Sequence, residues 1–329
     1  MIESTARMGE AFMSKKIFRL LLFIALLTAF SNFLFAQPPR NQTTKVRPVS
    51  IPISIFSKGE LKGKRSGEFL EAGDLTVKED GDEQTILSIR SMENTNLAVA
   101  ILIQDDLSSN VNLELNRLAD FIRLLPENSR VLVAYLRGGS IQVRQKFTTD
   151  LDKAAKSLRI VVGSASAAPS NPYVGVAEAL NRFDALPVGR RAILLISDGL
   201  DTSRGFDSST PSQSLDLDQA ILKAQRKSVA VYSFYTPATL TENGSSILTL
   251  NGQGSLQRLA DETGGRAFFQ GTGAPVSFVP FFKDFTMSLK RQFLLTYLST
   301  HAEKGYHKIQ INSTNPDIKI EYPKGYFFR

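Results

Sequence analysis

The residues best suited to chemistry are oxygen donors at the ends of two apolar segments. These candidates are Asp106, Ser108 and Asn110 after the segment 97–104, and Asp198 after the segment 191–197. Because the first three are spaced two residues apart, an extended loop would point all of them to one side. Carboxylate, hydroxyl and amide oxygens are hard donors that suit Mg²⁺ or Ca²⁺. A site with few protein ligands favours Mg²⁺, because this ion keeps several of its water ligands. A carboxylate from a partner could replace one of these waters.

The same residues also have simpler interpretations. Asp106, Ser108 and Asn110 could cap a helix that starts near residue 110. Asp198-Gly199 could be an ordinary turn, since Asp and Gly are typical turn residues. Spacing alone leaves both alternatives open.

The elements around these candidates predict an α/β fold. Nearly continuous apolar runs, such as 97–104, indicate strands covered on both faces. They alternate with amphipathic segments that predict helices over about 110–125, 150–158, 172–183, 215–227, 254–263 and 279–291. This alternation predicts a mainly parallel, Rossmann-like sheet with helices on both faces. The candidate ligands would then lie at the carboxyl ends of strands, where such sheets bind ligands.

The segments before and after the α/β part share a pattern of alternating residues. Apolar residues alternate over 46–89 and again after residue 292, which predicts half-buried strands. The Asp80-Gly81 pair predicts a tight hairpin within the first region. Since isolated strands are marginally stable, we expect the head and tail strands to pack together, with the α/β part inserted between them. The predicted divisions are an N-terminal β-rich region 45–92, an α/β domain 93–300 and C-terminal strands 301–329.

The N-terminus has the pattern of a signal peptide. Lys15-Lys16 precede an apolar run, and Ala36 stands before a polar segment. We predict a cleaved signal peptide over 1–36 and a flexible leader over 37–44, with a retained anchor as the alternative. Met13 could be the true start. Cleavage would leave an exported chain, periplasmic or extracellular, without stable membrane insertion.

Composition excludes several classes of function. The chain has no Cys and two His, His301 and His307, which argues against thiol enzymes, Cys-ligated metals and His-rich zinc sites. The net charge is +7, but the basic residues are scattered, so we predict no nucleic-acid binding. Neither a Gly-x-Gly-x-x-Gly loop nor a correctly spaced phosphate-binding loop occurs, which argues against a nucleotide site.

The loop residues resemble the metal-ion-dependent adhesion site of the von Willebrand factor type A (VWA) family. The family's first loop reads Asp-x-Ser-x-Ser, and Asp106 to Asn110 matches it except that Asn110 replaces the last Ser. Residues 196–199 match the third loop. The second loop should supply a Thr, which the segment 163–173 lacks, so the resemblance implies Ser170 as its counterpart, with Ser164 and Ser166 as rivals.

The resemblance extends over almost the whole mature chain. Four segments look like those of an exported VWA subgroup described from acidobacteria: 75–81 with Gln84, 259–267, 307–311 and 324–327. This resemblance implies a non-enzymatic, adhesion-type binding module with a degenerate Mg²⁺ site, in which Ca²⁺ or Mn²⁺ could substitute. The partner would be a protein or cell-surface ligand that donates a carboxylate. A metal-free assembly scaffold and a metal-assisted hydrolase are the alternatives.

Two long connections at the same edge predict a contact face. They are 199–214 and 236–253, which show no clear periodicity and could instead be plain surface loops. Phe206 and Tyr173 are the candidate aromatic anchors, with packing as the alternative. Asp105 is expected to add negative charge that attracts a cation.

Overall fold

The computed structural model describes residues 46–57, 59, 74–163, 170–187, 189–205, 209–239 and 246–328. The predicted signal peptide and leader lie outside these residues. None of the helices in the described part is long and apolar enough to cross a membrane.

The described chain forms two sheets and a set of helices. The strands are β1 (Arg47–Ser57), β2 (Leu75–Glu79), β3 (Asp82–Ser91), β4 (Leu97–Gln104), β5 (Arg130–Arg137), β6 (Ser140–Thr148), β7 (Arg190–Ser197), β8 (Ala230–Tyr235), β9 (Ala267–Phe268), β10 (Gln292–Ser299), β11 (Gly305–Ser313), β12 (Ile318–Glu321) and β13 (Gly325–Phe328). The α-helices are α1 (Leu115–Arg123), α2 (Leu151–Lys156), α3 (Pro172–Asn181), α4 (Leu215–Lys227), α5 (Ser246–Thr263) and α6 (Val279–Lys290). A 3₁₀ helix, Ser109–Glu114, precedes α1.

The six-stranded sheet has the order β6-β5-β4-β7-β8-β9 and is parallel except for the edge strand β6. This is the doubly wound order, in which the chain leaves the central strand first to one side and then to the other. The reversal lies between β4 and β7, so their carboxyl ends flank the crevice where such sheets bind ligands. The predicted Rossmann-like fold class is confirmed.

Strand β4 shows why both faces of this sheet are covered. All eight of its residues are buried. Ile101 and Ile103 belong to the core on the side of Phe121 and Phe285, whereas Leu102 packs on the opposite side. Because successive side chains point to opposite faces, a run without polar interruptions requires helices on both sides.

The antiparallel sheet joins the two ends of the described chain. Its order is β12-β1-β10-β3-β2-β11-β13, so strands from the two ends of the chain are interleaved within it. The β2–β3 hairpin turns at Asp80 and Gly81, whose φ angles of 51° and 100° are both positive, as a two-residue type I′ turn requires. Strand β10 lies in this sheet, whereas the sequence division at residue 300 assigned it to the α/β part.

A buried arginine joins the parallel sheet to the β3–β4 connection and to the last helix. The Arg190 guanidinium, at the start of β7, donates to the carbonyl oxygens of Glu93 (2.8 Å) and Thr95 (3.0 Å) in the β3–β4 connection. It also donates to the carbonyl oxygen of Leu289 in α6 (3.0 Å). Burial lowers the pKa of Arg190. One side chain therefore holds the linker, the central sheet and the last helix together.

Helix α5 differs from its prediction. The sequence predicts a loop over 236–253, but the helix already covers 246–253. Gly252, Gly254 and the neighbouring polar residues obscure the helical period, since glycine is a weak helix former. Close packing explains one of these glycines: a Cβ on Gly252 would lie 2.1 Å from the carbonyl oxygen of Asp198.

Candidate metal site at the carboxyl edge of the parallel sheet

Three loops meet at the carboxyl ends of β4, β7 and β8. The loop after β4 runs against the loop after β8: Ser108 N–H donates to the carbonyl oxygen of Pro237 (3.0 Å), and Thr239 N–H donates to that of Asp106 (3.2 Å). Thr236 N–H, after β8, donates to the carbonyl oxygen of Ser197 at the end of β7 (3.2 Å). Backbone hydrogen bonds therefore fix the relative positions of all three strand ends.

Asp198 and Asp106 form a pair of interacting carboxylates. Asp198 is only 5% exposed, and its Oδ1 accepts a hydrogen bond from Leu200 N–H (3.1 Å). Burial, followed by the charge of half-buried Asp106, raises the pKa of Asp198 to about 7. Ionisation of Asp198 near neutral pH therefore places a buried charge beside a second carboxylate, which a proton or a metal cation would offset.

A buried network sets the start of the loop that bears Asp198. Gln104 Oε1 accepts hydrogen bonds from Ser197 Oγ and from Asp198 N–H (3.2 Å), and Ser197 Oγ accepts one from Gly199 N–H (2.9 Å). The Gln104 Nε2 group is buried without a hydrogen-bond partner. Since this network joins the last residues of β4 and β7, it couples the two carboxylate loops.

The other predicted ligands occupy different environments. Ser108 is buried and precedes the 3₁₀ helix, and its side chain makes no capping hydrogen bond. Asn110 is exposed on that helix. Ser170 is paired through its backbone with Thr202 in the loop after β7: Thr202 N–H donates to the Ser170 carbonyl oxygen (2.8 Å). The structure thus brings Asp106 and Asp198 together and joins the Ser170 loop to the Asp198 loop.

The contacts of the described residues do not test whether Ser108, Asn110 and Ser170 bind the same ion, so these three ligands stay predictions. The rival candidates Ser164 and Ser166 lie outside the described residues. The structure does not support helix capping by the Ser108 side chain. It shows a 3₁₀ turn in which Ser108 supplies its carbonyl oxygen to Val111 N–H (3.2 Å).

The expectation for Asp105 is wrong. Its carboxylate forms a two-pronged ion pair with Arg159, with N–O distances of 2.7 and 2.9 Å. The guanidinium lies 4.0 Å from the centre of the Tyr135 ring, and the Tyr135 hydroxyl donates to the Arg159 carbonyl oxygen (2.6 Å). Asp105 is therefore neutralised by a positioned arginine and does not add free negative charge.

The expectation for Tyr173 is also corrected. Its side chain is fully buried, and its hydroxyl donates to the Gly199 carbonyl oxygen (2.5 Å). It therefore packs beneath the site and cannot contact a partner. Phe206, the other candidate anchor, lies outside the described residues. In the same loop, Asp201 is buried and accepts hydrogen bonds from Ser203 N–H (3.1 Å) and Ser214 Oγ (2.9 Å), so it orders the loop.

Gly199→Ala tests how tightly the Asp198 loop is held. Gly199 has a φ of +73°, and a Cβ there would lie 2.3 Å from the Gly252 carbonyl oxygen. We expect a loss of at least about 2 kcal/mol in the free energy of unfolding, measured with urea, because backbone strain and overpacking add. Gly205→Ala is the control, since Gly205 also has a positive φ (+92°) but open space around it. Equal losses in the two variants would contradict the packing argument.

Solved structures with similar folds include three bacterial proteins. A VWA protein from Catenulispora acidiphila has a TM-score of 0.43 and 11% identity, covering 78% of this chain and 74% of that chain. An aerotolerance-related membrane protein from Bacteroides fragilis has a TM-score of 0.41 and 14% identity, covering 59% of this chain and 98% of that one. BatB from Bacteroides thetaiotaomicron has a TM-score of 0.42 and 15% identity, covering 59% and 97%.

The likeness concerns the fold. The mainly parallel sheet with helices on both faces is the Rossmann-like architecture that the sequence predicts. No protein-family model matches the chain. No curated protein sequence matches it either.

Proposed function

We propose that the chain is a non-enzymatic, exported VWA module that binds a protein or surface ligand through the carboxyl edge of its parallel sheet. The observation that carries the proposal is the Asp106–Asp198 carboxylate pair at the reversal point of the strand order. A buried carboxylate beside a second one favours a bound cation. The proposal for export rests on the pattern of residues 1–36.

The charges around the pair fit a divalent cation. Arg159 is engaged by Asp105, so it does not compensate the charges of Asp106 and Asp198. Mg²⁺ is the ion proposed, since hard oxygen donors and few protein ligands suit it. Asp106, Ser108, Asn110, Ser170 and Asp198 would hold it. When bound, Mg²⁺ supplies an exchangeable position that a partner's carboxylate can fill.

Three exposed apolar residues flank a contact that follows the Asp106 loop. They are Leu113 (76% exposed), Ile160 (66%) and Val162 (79%). Their two segments are joined by Asn112, whose side chain exchanges hydrogen bonds with the backbone N–H (2.7 Å) and carbonyl oxygen (2.9 Å) of Val161. Clustered exposed apolar side chains are typical of interaction surfaces. The proposed partner therefore combines a carboxylate with an apolar contact.

The non-enzymatic assignment is supported by the position of the histidines. Both His301 and His307 contact residues of the antiparallel sheet, through Asp82 and through Asp80 respectively. A hydrolase at the carboxyl edge would need another group as its base or nucleophile. A metal-free assembly scaffold is the outcome that replaces our proposal if the carboxylate pair binds no ion.

Calorimetric titration of Mg²⁺ into the chelator-treated chain tests the proposal. We expect binding of Mg²⁺ in the wild type and a loss of at least tenfold in affinity in Asp106→Asn, because one charged ligand is removed. Asp120→Asn, on the exposed face of α1, is the matched control and should bind like the wild type. Unchanged affinity in Asp106→Asn would refute the site. Absence of Mg²⁺, Ca²⁺ and Mn²⁺ binding in the wild type would favour the scaffold.

A further inference from the structure

A second cluster of ligand-type side chains lies in the antiparallel sheet, far along the chain from the carboxyl-edge residues. Among the described residues, Glu79, Asp80 and His307 form the group of three acidic or histidine residues whose ligand atoms all lie within 4.8 Å of one another. His307 Nδ1 is 2.8 Å from Asp80 Oδ2 and 3.3 Å from Glu79 Oε1. The antiparallel pairing of β2 with β11 produces this proximity.

The two ring nitrogens of His307 face different groups. Nε2 lies 2.8 Å from the carbonyl oxygen of Glu303, which can only accept, so Nε2 is the nitrogen that donates. Nδ1 faces the carboxylates of Glu79 and Asp80, so a metal ion between these three groups would be bound by all of them. Metal-binding histidines characteristically donate their other N–H to a carbonyl or carboxylate, as His307 does.

Glu79 provides an independent observation. Its side chain is completely buried, and its Oε2 has no hydrogen-bond partner. Oε1 accepts a hydrogen bond from the Tyr326 hydroxyl (2.7 Å). The Tyr297 hydroxyl is buried beside Tyr326 and Glu79, and burial followed by these two neighbours raises its pKa. A buried carboxylate oxygen without a donor costs free energy unless it binds something.

The charges leave room for a divalent ion. Arg47 lies 3.6 Å from Glu79 Oε1 and also donates to the Tyr326 hydroxyl (2.6 Å). The two carboxylates and Arg47 together sum to one negative charge. The partly exposed Asp80 lies on the surface side of the cluster, so an ion could enter there.

We propose that Glu79, Asp80 and His307 bind a divalent transition-metal ion, with Zn²⁺ as the best match to one imidazole and two carboxylates. Ligand bonds of about 2.0–2.2 Å in tetrahedral zinc place neighbouring donor atoms roughly 3.3 Å apart. The Nδ1–Oε1 distance of 3.3 Å already fits this spacing. The Nδ1–Oδ2 contact must lengthen slightly. Such an ion would join the β2–β3 turn to β11, thereby linking segments from the two ends of the chain.

Cobalt titration of the full chain tests this proposal. Excess Mg²⁺ is included to saturate the carboxyl-edge site, and Co²⁺ binding is followed by its visible absorption, with Zn²⁺ then added as a competitor. We expect one Co²⁺ per chain, displaced by Zn²⁺. Asp80→Asn should weaken binding at least about tenfold, because it removes one of three ligands. This variant should fold, since Asn tolerates the left-handed conformation of residue 80.

Asp82→Asn is the matched control. It makes the same change in charge within the same hairpin, but Asp82 is exposed and lies outside the cluster. Its Co²⁺ affinity should equal that of the wild type. His307→Gln should also lose binding. Equal Co²⁺ affinity in Asp80→Asn and wild type would overturn the proposal. Absence of Co²⁺ and Zn²⁺ binding in the wild type would also overturn it.

Discussion

In the chelator-treated protein, we expect the free energy of unfolding to fall by about 4 kcal/mol as the pH rises from 4 to 8, because Asp198 loses its proton. The pKa of Asp198 is raised from 3.8 to about 7 in the folded protein, by burial first and then by Asp106. A raised carboxyl pKa means that the folded state holds its proton more tightly than the unfolded state. This stabilising contribution is fully present below the unfolded pKa and is lost as the pH rises through the folded value.

Urea denaturation of wild type and Asp198→Asn across this pH range measures the effect. Asn keeps the oxygen that accepts from Leu200 N–H but cannot ionise, so the difference between the two proteins should shrink toward pH 4 and grow toward pH 8. Mg²⁺ at pH 8 should stabilise the wild type and leave Asp198→Asn nearly unchanged. Parallel pH curves for the two proteins would show that Asp198 is not the group responsible.

Arg190→Met should have the largest effect on stability that we expect from a single substitution. It removes the donors to three carbonyl oxygens, of which the one in α6 is bonded in a buried position and the two in the β3–β4 connection are partly exposed. The buried acceptor costs about 1–3 kcal/mol when unpaired and the other two cost less, so we expect a loss of about 3 kcal/mol in the free energy of unfolding. Methionine approximates the length of the arginine stem, which limits the cavity.

Arg182→Met is the control for this prediction. Arg182 pairs only across the exposed face of α3, with Glu178, and exposed pairs contribute roughly 0–1 kcal/mol. Thermal or urea denaturation should therefore separate the two variants clearly. A loss below about 1 kcal/mol in Arg190→Met would show that the three carbonyl oxygens find other donors.

The fold was predictable because its signals are local. The uninterrupted apolar residues of 97–104 indicate a strand covered on both sides, and Asp80-Gly81 marks a turn without reference to the rest of the chain. Helix α5 was predicted too short because Gly252 is selected by close packing against Asp198, which a helix-period pattern does not represent. The pairing order of the strands could be inferred only in outline.

The site was less predictable because its chemistry depends on distant partners. Asp106 and Asp198 could be chosen from their positions after strands. Nothing in the residues next to Asp105 indicates Arg159, which comes much later in the chain and removes its charge. Tyr173 looked equally suited to an exposed or a buried role. It packs in the apolar core, and its hydroxyl donates to Gly199, a contact with a distant segment that its neighbours in sequence do not indicate.

The histidine cluster was missed for the same reason. Two histidines are too few to indicate a zinc site by composition. The sequence does mark Glu79 and Asp80 as a hairpin, and it marks 307–312 as a strand. Only the register of β2 against β11, in which Glu79 faces Ile309, places His307 beside them.

The interleaving of N-terminal and C-terminal strands in the antiparallel sheet has a consequence for biosynthesis. Strand β1 pairs with β10 and β12, both of which are made only after the entire α/β part has been synthesised. Until then, its backbone donors and acceptors have no sheet to join, and closing so long a loop is slow. The α/β part can fold from local contacts while β1, β2 and β3 still lack their C-terminal partner strands. A nascent chain truncated before residue 292 would therefore present unpaired strands to chaperones and proteases.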